Sequence, residues 1–288
     1  MSGLTDPEVY SIPLLLIIGW RGEPGVHDEP QHVKQGKVTI PLLEAMGISY
    51  EILDDDYETK IDVAISHMKK ENAPFALIVK KGLFSPYKLV LEKSTYMLSR
   101  EDSLKEILSD LTDEDIIVST TGKTSREIFE IRESRKQSHS NDFLTVGSMG
   151  HTASIAYGVA LGTKKDVWCV DGDGSFIMHM GGLGVIGSKM LPNFKYILNV
   201  NNAHESVGGQ PTCSEFLNIP EILHGLGFKE VFIAENQQQI KEGIKELRNH
   251  SGYALVLHTK QGSRDDLGRP TTTPQENKKA LMKKLGSL

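Results

Sequence analysis

The stretch DVWCVDGDGSFIMHMGGLGVIGSKMLPNFKYILNVNN, residues 166–202, decides the fold class of this chain. It begins and ends with short apolar runs, DVWCVDGDG (166–174) and FKYILNVNN (194–202), and the residues between them suit a helix. Apolar runs of this length are typical of buried strands, and two such strands joined by a helix belong to a parallel sheet. The stretch therefore predicts an α/β fold.

The same alternation of strands and helices extends in both directions along the chain. Further strands are predicted at 12–20, 48–53, 74–82, 115–122 and 253–262, and helices at 38–47, 57–72, 100–111, 124–134 and 237–250. Residues 83–98 interrupt this rhythm. The sequence thus predicts two parallel-sheet domains, 1–82 and 99–262, joined by a linker at 83–98 and followed by a polar tail at 263–288.

Composition narrows the class of protein. The 288 residues are 39% hydrophobic and 24% charged, and the net charge is −6, which disfavours nucleic-acid binding. The longest apolar run, 12–18, is shorter than the ~20 residues of a membrane span, and the N-terminus has no pattern of a secretory signal. With only two cysteines, we expect a cytoplasmic protein in a reducing compartment, with no membrane partner.

Three polar loops follow predicted strands, at the edge where open α/β sheets bind ligands. They are TTGKTS (120–125), DGDGS (171–175) and NNAH (201–204). The first loop lacks the glycine at position 117 that a P-loop needs, and GDGSFI at 172–177 lacks the last glycine of a dinucleotide fingerprint. Each loop alone is equally compatible with a capped turn or helix start.

Taken together, GDG followed about 30 residues later by NN resembles the cofactor motif of thiamine-diphosphate-dependent enzymes. The resemblance implies that residues 99–262 are the pyrophosphate-binding domain of that superfamily. It implies that Asp173, Asn202 and the carbonyl group of His204 bind Mg²⁺. A further implication is that the diphosphate is held by Gly122, Lys123, Thr124, Gly172, Gly174 and Ser175.

A second match to the superfamily lies in GSMG, residues 147–150. The resemblance implies that Met149 wedges between the two rings of the cofactor. It also implies that the carbonyl group of Gly147 accepts a hydrogen bond from the 4′-amino group. A lone methionine is more often an ordinary core residue, and its position in this stretch favours the cofactor role.

Longer stretches resemble the phosphonopyruvate decarboxylases, with the sulfopyruvate decarboxylases as near relatives that share the layout. They are 6–25, 28–36, 119–130, 200–212 and 264–274. The implied reaction is decarboxylation of the 2-oxo acid 3-phosphonopyruvate to phosphonoacetaldehyde and CO2, a step of phosphonate biosynthesis, with the thiazolium ring as electron sink. The same chemistry makes Arg21, Lys34, Arg264 and Arg269 candidates for binding the phosphonate. His32, with Gln31, is a candidate for proton transfer. Exposed surface groups are an equally good interpretation of these side chains.

The chain departs from the superfamily at its start. The family's first domain begins roughly 80–90 residues earlier and carries an activating glutamate, so residues 1–82 are predicted to be a truncated pyrimidine-binding domain. A fragment, a chain that needs a partner subunit with that glutamate, and a non-catalytic cofactor-binding subunit all remain open. A homo-oligomer or a second subunit is expected in each case, and the truncation predicts exposed apolar strand edges beside 12–20.

Overall fold

The computed structural model of the chain describes residues 2–87 and 94–286. They divide into two compact units, one within residues 1–88 and the other within residues 89–288. Part of the predicted linker, residues 88–93, lies outside the described residues.

The first unit is a three-stranded parallel sheet with order β1-β3-β2. Its elements are α1 (Ser2–Thr5), β1 (Leu15–Gly19), α2 (Pro30–Ala45), β2 (Ser49–Ile52), α3 (Tyr57–Glu71) and β3 (Phe75–Val79). All five residues of the central strand β3 are buried. A continuous apolar run of this kind needs cover on both faces, and both edges of β3 are paired, with β1 and β2.

Among the described residues, strand β1 pairs only with β3 and so forms one edge of that sheet. Apolar side chains are exposed along it: Ile17 is 62% exposed and Leu14 is 37% exposed. The exposed apolar edge predicted beside residues 12–20 is therefore present in the first unit.

The second unit is a six-stranded parallel sheet with order β10-β11-β7-β6-β4-β5. Its first elements are α4 (Arg100–Asp110), β4 (Ile116–Ser119), α5 (Lys123–Ser134), β5 (Asp142–Leu144), α6 (Thr152–Leu161), β6 (Val167–Gly172), α7 (Asp173–Met178) and α8 (Gly182–Ser188). The remaining elements are β7 (Phe194–Val200), β8 (Ala203–His204), β9 (Gln210–Pro211), α9 (Ile219–Gly225), β10 (Glu230–Ala234), α10 (Gln237–Asn249), β11 (Tyr253–His258) and α11 (Pro274–Lys284). Strands β8 and β9 pair antiparallel outside the main sheet.

Helices cover both faces of the large sheet. One apolar cluster joins it to α6, α7, α8 and α9, and the other joins it to α4, α5 and α10. Alternate residues of β6 enter the two clusters: Val167 and Cys169 face one, whereas Trp168 and Val170 face the other. This arrangement is the doubly wound α/β fold predicted from the apolar runs.

Several elements differ from those predicted. The single helix expected between residues 174 and 192 is two short helices, α7 and α8, because the chain turns at His179–Gly181. Helix α2 begins at Pro30, eight residues before the predicted start. The predicted tail at 263–288 belongs to the second unit and contains α11, whose residue Asn277 is buried.

In the part of the chain that the structure describes, none of the helices has both the length and the hydropathy needed to cross a bilayer.

Candidate functional site

The candidate site lies at the carboxyl ends of three neighbouring strands, β4, β6 and β7. The strands are parallel, so their carboxyl ends meet at one edge of the sheet. The loops that follow them are the three polar loops singled out in the sequence: residues 120–122, the start of α7 and residues 201–204.

The structure brings Asp173 and Asn202 into direct contact. Asp173 is buried, and its Oδ2 atom accepts a hydrogen bond of 3.0 Å from the backbone N–H of Asn202. The hydroxyl group of Thr212 donates to the same oxygen at 2.7 Å. Ser214 Oγ lies 2.7 Å from Asp173 Oδ2 and 2.6 Å from Asn202 Oδ1. Asp173 is therefore fixed by residues from two later segments of the chain.

Thr212 and Ser214 were missed by the sequence analysis. They lie beyond the β8–β9 hairpin, ten and twelve residues after Asn202, which places them outside a search at strand ends. The only sequence signal for them is the hydroxyl pair itself, in QPTCS (210–214).

These groups are suited to a hard cation. Asp173 and Asn202 supply a carboxylate and an amide oxygen, the ligand types that Mg²⁺ prefers. The carbonyl oxygen of His204 accepts a hydrogen bond of 3.0 Å from Gly209 N–H, which uses one of its two lone pairs. Within residues 2–87 and 94–286 there is no group of three or more His, Cys, Asp and Glu side chains placed to hold a metal. A cation here would thus depend on one carboxylate and neutral oxygens, with further ligands from a bound phosphate.

Two glycines at the site allow neighbouring side chains to approach the backbone closely. A Cβ atom on Gly174 would lie 2.5 Å from the ring of His204, and one on Gly122 would collide with the hydroxyl group of Ser206. Gly122 also has a φ of 96°, which other residues rarely adopt. The glycines therefore allow the His204 ring and the Ser206 hydroxyl group to pack against the backbone at the starts of α5 and α7, where helix N–H groups favour anions.

The other predicted diphosphate ligands surround these glycines. Gly172 precedes α7, Ser175 is buried on its first turn, and Thr124 is buried on the first turn of α5. Lys123 begins α5, and its Nζ atom donates to Ser263 Oγ at 2.7 Å. A diphosphate would thus meet backbone and hydroxyl groups here, while the Lys123 ammonium group is held by residue 263.

The loop 147–150 lies against the same helix start. Gly150 N–H donates to Ser175 Oγ at 3.1 Å, and Gly147 N–H donates to Thr121 Oγ1 at 3.2 Å. A Cβ atom on Gly174 would lie 3.1 Å from the terminal methyl group of Met149. Met149 therefore lies over the first turn of α7, beside the predicted diphosphate site.

A buried carboxylate group lies beside the candidate site. Asp171, at the end of β6, accepts hydrogen bonds from Gly172 N–H at 2.9 Å and from Tyr196 Oη at 3.3 Å. Complete burial raises the pKa of Asp171 to about 6, and these hydrogen bonds oppose the shift.

A buried ion pair anchors the loop that carries His204. Arg100, at the start of α4, binds both carboxylate oxygens of Glu127, at 2.7 and 2.8 Å. Its third nitrogen donates to Glu205 at 2.6 Å. Because Glu205 directly follows His204, this bridge fixes the hairpin that closes the candidate site.

The predicted proton-transfer group is held in the first unit. Asp28 accepts two hydrogen bonds from Arg21, at 2.8 and 2.6 Å, and its Oδ1 atom lies 2.9 Å from His32 Nδ1. The hydrogen bonds from Arg21 and His32 lower the pKa of Asp28. Gln31, beside His32, has a buried side-chain oxygen without a hydrogen-bond partner. Asp28 is a third residue that the sequence analysis missed.

The four predicted phosphonate-binding cations are not grouped within either unit. Arg21 and Lys34 lie in the first unit, where Arg21 is paired with Asp28 and Lys34 is exposed. In the second unit, Arg264 is paired with three carboxylates and Arg269 is exposed. Two of the four cations thus already neutralise protein carboxylates.

Residues 120–257 match the family model "Thiamine pyrophosphate enzyme, C-terminal TPP binding domain". The match covers the three loops and both glycines of the site. Fold and site together define a domain of the thiamine-diphosphate-dependent enzymes.

The chain is 30% identical over 285 residues to a phosphonopyruvate decarboxylase of Streptomyces viridochromogenes, covering 92% of this chain and 70% of that protein. It belongs to the phosphonopyruvate decarboxylase family. The family, its cofactor thiamine diphosphate and its carboxy-lyase class, all predicted from the sequence, are thereby confirmed.

The chain also matches two further proteins, which it covers to different extents. The beta subunit of sulfopyruvate decarboxylase of Methanococcus maripaludis is 29% identical over 185 residues, covering 64% of this chain and 96% of that subunit. Benzoylformate decarboxylase of Polynucleobacter necessarius superimposes with a TM-score of 0.51 at 16% identity, which shows a shared fold. The alignment covers 87% of this chain and 50% of that structure's chain.

Proposed function

We propose that this chain takes part in the thiamine-diphosphate- and Mg²⁺-dependent decarboxylation of 3-phosphonopyruvate to phosphonoacetaldehyde and CO2. The observation that carries the proposal is the contact of Asp173 with Asn202 at the sheet edge, next to Gly122 and Gly174 at the starts of α5 and α7. Membership of the phosphonopyruvate decarboxylase family supports the choice of substrate.

The residues present fit the cofactor. Asp173, Asn202 and the carbonyl group of His204 would hold Mg²⁺, and the starts of α5 and α7 would hold the diphosphate. When bound, the cofactor supplies an electron sink for the charge left by departing CO2. Met149 would lie against its rings, and the carbonyl group of Gly147 would accept a hydrogen bond from its amino group.

His32 is proposed to return a proton to the substrate carbon after CO2 has left. His32 Nδ1 lies 2.9 Å from Asp28 Oδ1 and 3.0 Å from Arg21 Nη2. In this proposal Nδ1 carries a proton that Asp28 accepts as a hydrogen bond, and Nε2 is the atom that transfers the proton. Asp28 is a positioning residue in this proposal, since it acts through His32. Replacing Asp28 by Asn should lower kcat and leave the KM for 3-phosphonopyruvate within about twofold of wild type.

The complete site is proposed to include a second chain, either another copy or a partner subunit that carries the activating glutamate. The relative from Methanococcus maripaludis is the beta subunit of a sulfopyruvate decarboxylase, and this chain covers nearly all of it. A chain that binds cofactor without turning over substrate would fit the second candidate, a partner-requiring or non-catalytic cofactor-binding subunit.

The test combines calorimetry with a product assay on the full chain. We expect thiamine diphosphate to bind only with Mg²⁺, and Asp173→Ala to abolish that binding. Asp62→Ala, which removes an exposed carboxylate on α3, should bind like wild type. Unchanged binding in Asp173→Ala would refute the proposed site.

Product formation then separates the remaining candidates. Phosphonoacetaldehyde from 3-phosphonopyruvate supports the proposed enzyme, whereas faster turnover of sulfopyruvate would make the chain a sulfopyruvate decarboxylase. Binding of the cofactor without turnover of either substrate would support the partner-requiring subunit.

A further inference from the structure

Two histidine rings lie together beside the cofactor loop of the second unit. His151 is the N-cap residue of α6, and His179 follows the last residue of α7. Their ring centroids are 4.4 Å apart and their planes are inclined by 49°. His151 Nδ1 is 3.2 Å from the carbonyl oxygen of Met149, so a proton on Nδ1 is held by that oxygen and Nε2 faces away from it.

The backbone is shaped around this pair. A side chain on Gly150 would collide with the ring of His179, and Gly150 has a φ of 86°, which favours glycine. Gly150 N–H is in turn bound to Ser175 Oγ at the start of α7. These contacts hold the two rings next to the loop that carries Met149 and next to the start of α7, where the diphosphate is proposed to bind. His179, Gly150 and Ser175 also line one small pocket, together with Ser154 and Asp171.

Neither imidazole has a carboxylate partner, a property shared within the described residues with His27, His67, His204 and His224. Within residues 2–87 and 94–286, His32, His139, His250 and His258 each have a carboxylate partner, whereas His151 and His179 form no ion pair. Both side chains are exposed, so a ligand can reach them. By contrast, Arg21 and Arg264 are already engaged by carboxylates.

We propose that His151 and His179 bind the phosphonate group of the 2-oxo acid substrate. The inference rests on the proposed function and assigns its head-group site. A phosphonate near neutral pH can carry a proton, so it both donates and accepts hydrogen bonds, and a neutral imidazole does the same. A sulfonate carries no proton and only accepts. A pair of imidazoles therefore favours the phosphonate over the sulfonate, which an arginine fork would not do.

The kinetic test uses His151→Gln, His179→Gln and the double variant, with His250→Gln as the matched control on the exposed end of α10. We expect the KM for 3-phosphonopyruvate to rise roughly tenfold in each single variant, the effect of losing one hydrogen bond to a charged group. The kcat and the affinity for thiamine diphosphate should stay within about twofold of wild type. Equal loss of cofactor affinity, or an unchanged KM in the double variant, would overturn the inference.

A binding measurement keeps the inference testable without turnover. In the full chain with ¹³C-labelled histidine, phosphonoacetate should shift the ring signals of His151 and His179, and sulfoacetate should shift them less. Thermal unfolding of the variants checks that they are folded. Shifts without decarboxylation would leave the head-group site standing and favour the partner-requiring subunit over a chain that turns over substrate alone. Turnover without shifts, or equal shifts with both anions, would refute the head-group site alone.

Discussion

Removing Arg100 should destabilise the second unit in a pH-dependent way. The Arg100 side chain is 5% exposed, and its partners Glu127 and Glu205 are 1% and 8% exposed. Arg100→Leu leaves both carboxylates buried without their cation. Breaking a buried pair in this way costs about 3–5 kcal/mol, and with two carboxylates involved we expect the upper part of that range at pH 8.

The pH dependence follows from the carboxylates that remain. Burial already raises the pKa of Glu127 beside Arg100, and without the cation this effect is unopposed. A carboxyl group whose pKa is raised by folding stabilises the folded state at low pH, and that stabilisation is lost as pH rises through the folded pKa. The deficit of the Arg100→Leu variant should therefore shrink as the pH falls from 8 to 5.

Urea unfolding followed by the fluorescence of the buried Trp168 measures the free energy of unfolding at each pH. Lys105→Leu is the matched control on the same helix, because Lys105 is 48% exposed and an exposed pair contributes less than about 1 kcal/mol. An Arg100→Leu deficit as small as that of the control, or one that stays constant from pH 8 to pH 5, would refute the reasoning.

Three further outcomes are expected. Gly174→Ala should weaken cofactor binding at least about tenfold in calorimetry, because its methyl group would meet the His204 ring; unchanged affinity would contradict the proposed cradle. Ile17→Lys should reduce self-association in sedimentation velocity, because a charged side chain on the exposed edge strand β1 disfavours pairing with a second chain. Equal self-association of the variant and the wild type would exclude this edge as the cause. Asn277→Ala should lower the free energy of unfolding by about 1–3 kcal/mol in urea titrations, because the Asn277 side chain forms hydrogen bonds with two backbone groups of β5. A loss as small as that of an exposed substitution would show that this contact of α11 contributes little.

The elements that the sequence predicted well are those buried on both faces. Strands β3, β6 and β7 are continuous apolar runs, and their burial gives them a pattern that needs no tertiary information. Strands β5 and β10 were not predicted: β5 has three residues, and β10 lies at the edge of the sheet with an exposed Ile233. Edge strands carry a weaker apolar signal, so only their pairing identifies them.

Some residues of the candidate site could be predicted from the sequence, and others could not. Asp173 and Asn202 follow adjacent strands, so topology alone brings them close. The positions of Thr212 and Asp28 depend on how a hairpin and a loop fold back. Sequence spacing alone does not predict such positions. The break at His179 was also not predicted, although Gly181-Gly182 is a dipeptide typical of turns. The roles of these residues remain predictions until the variants are measured.

The two partners of Arg100 are synthesised at different times during translation. Glu127 follows Arg100 by 27 residues, whereas Glu205 follows it by 105. At about 5–20 residues per second, a ribosome adds Glu205 roughly 5–20 seconds after Arg100. After Glu127 has been added, the nascent chain holds Arg100 and this first partner while Glu205 is still missing. Asn202 and His204 are synthesised in the same short stretch as Glu205, so they are made after the loops that carry Gly122 and Asp173.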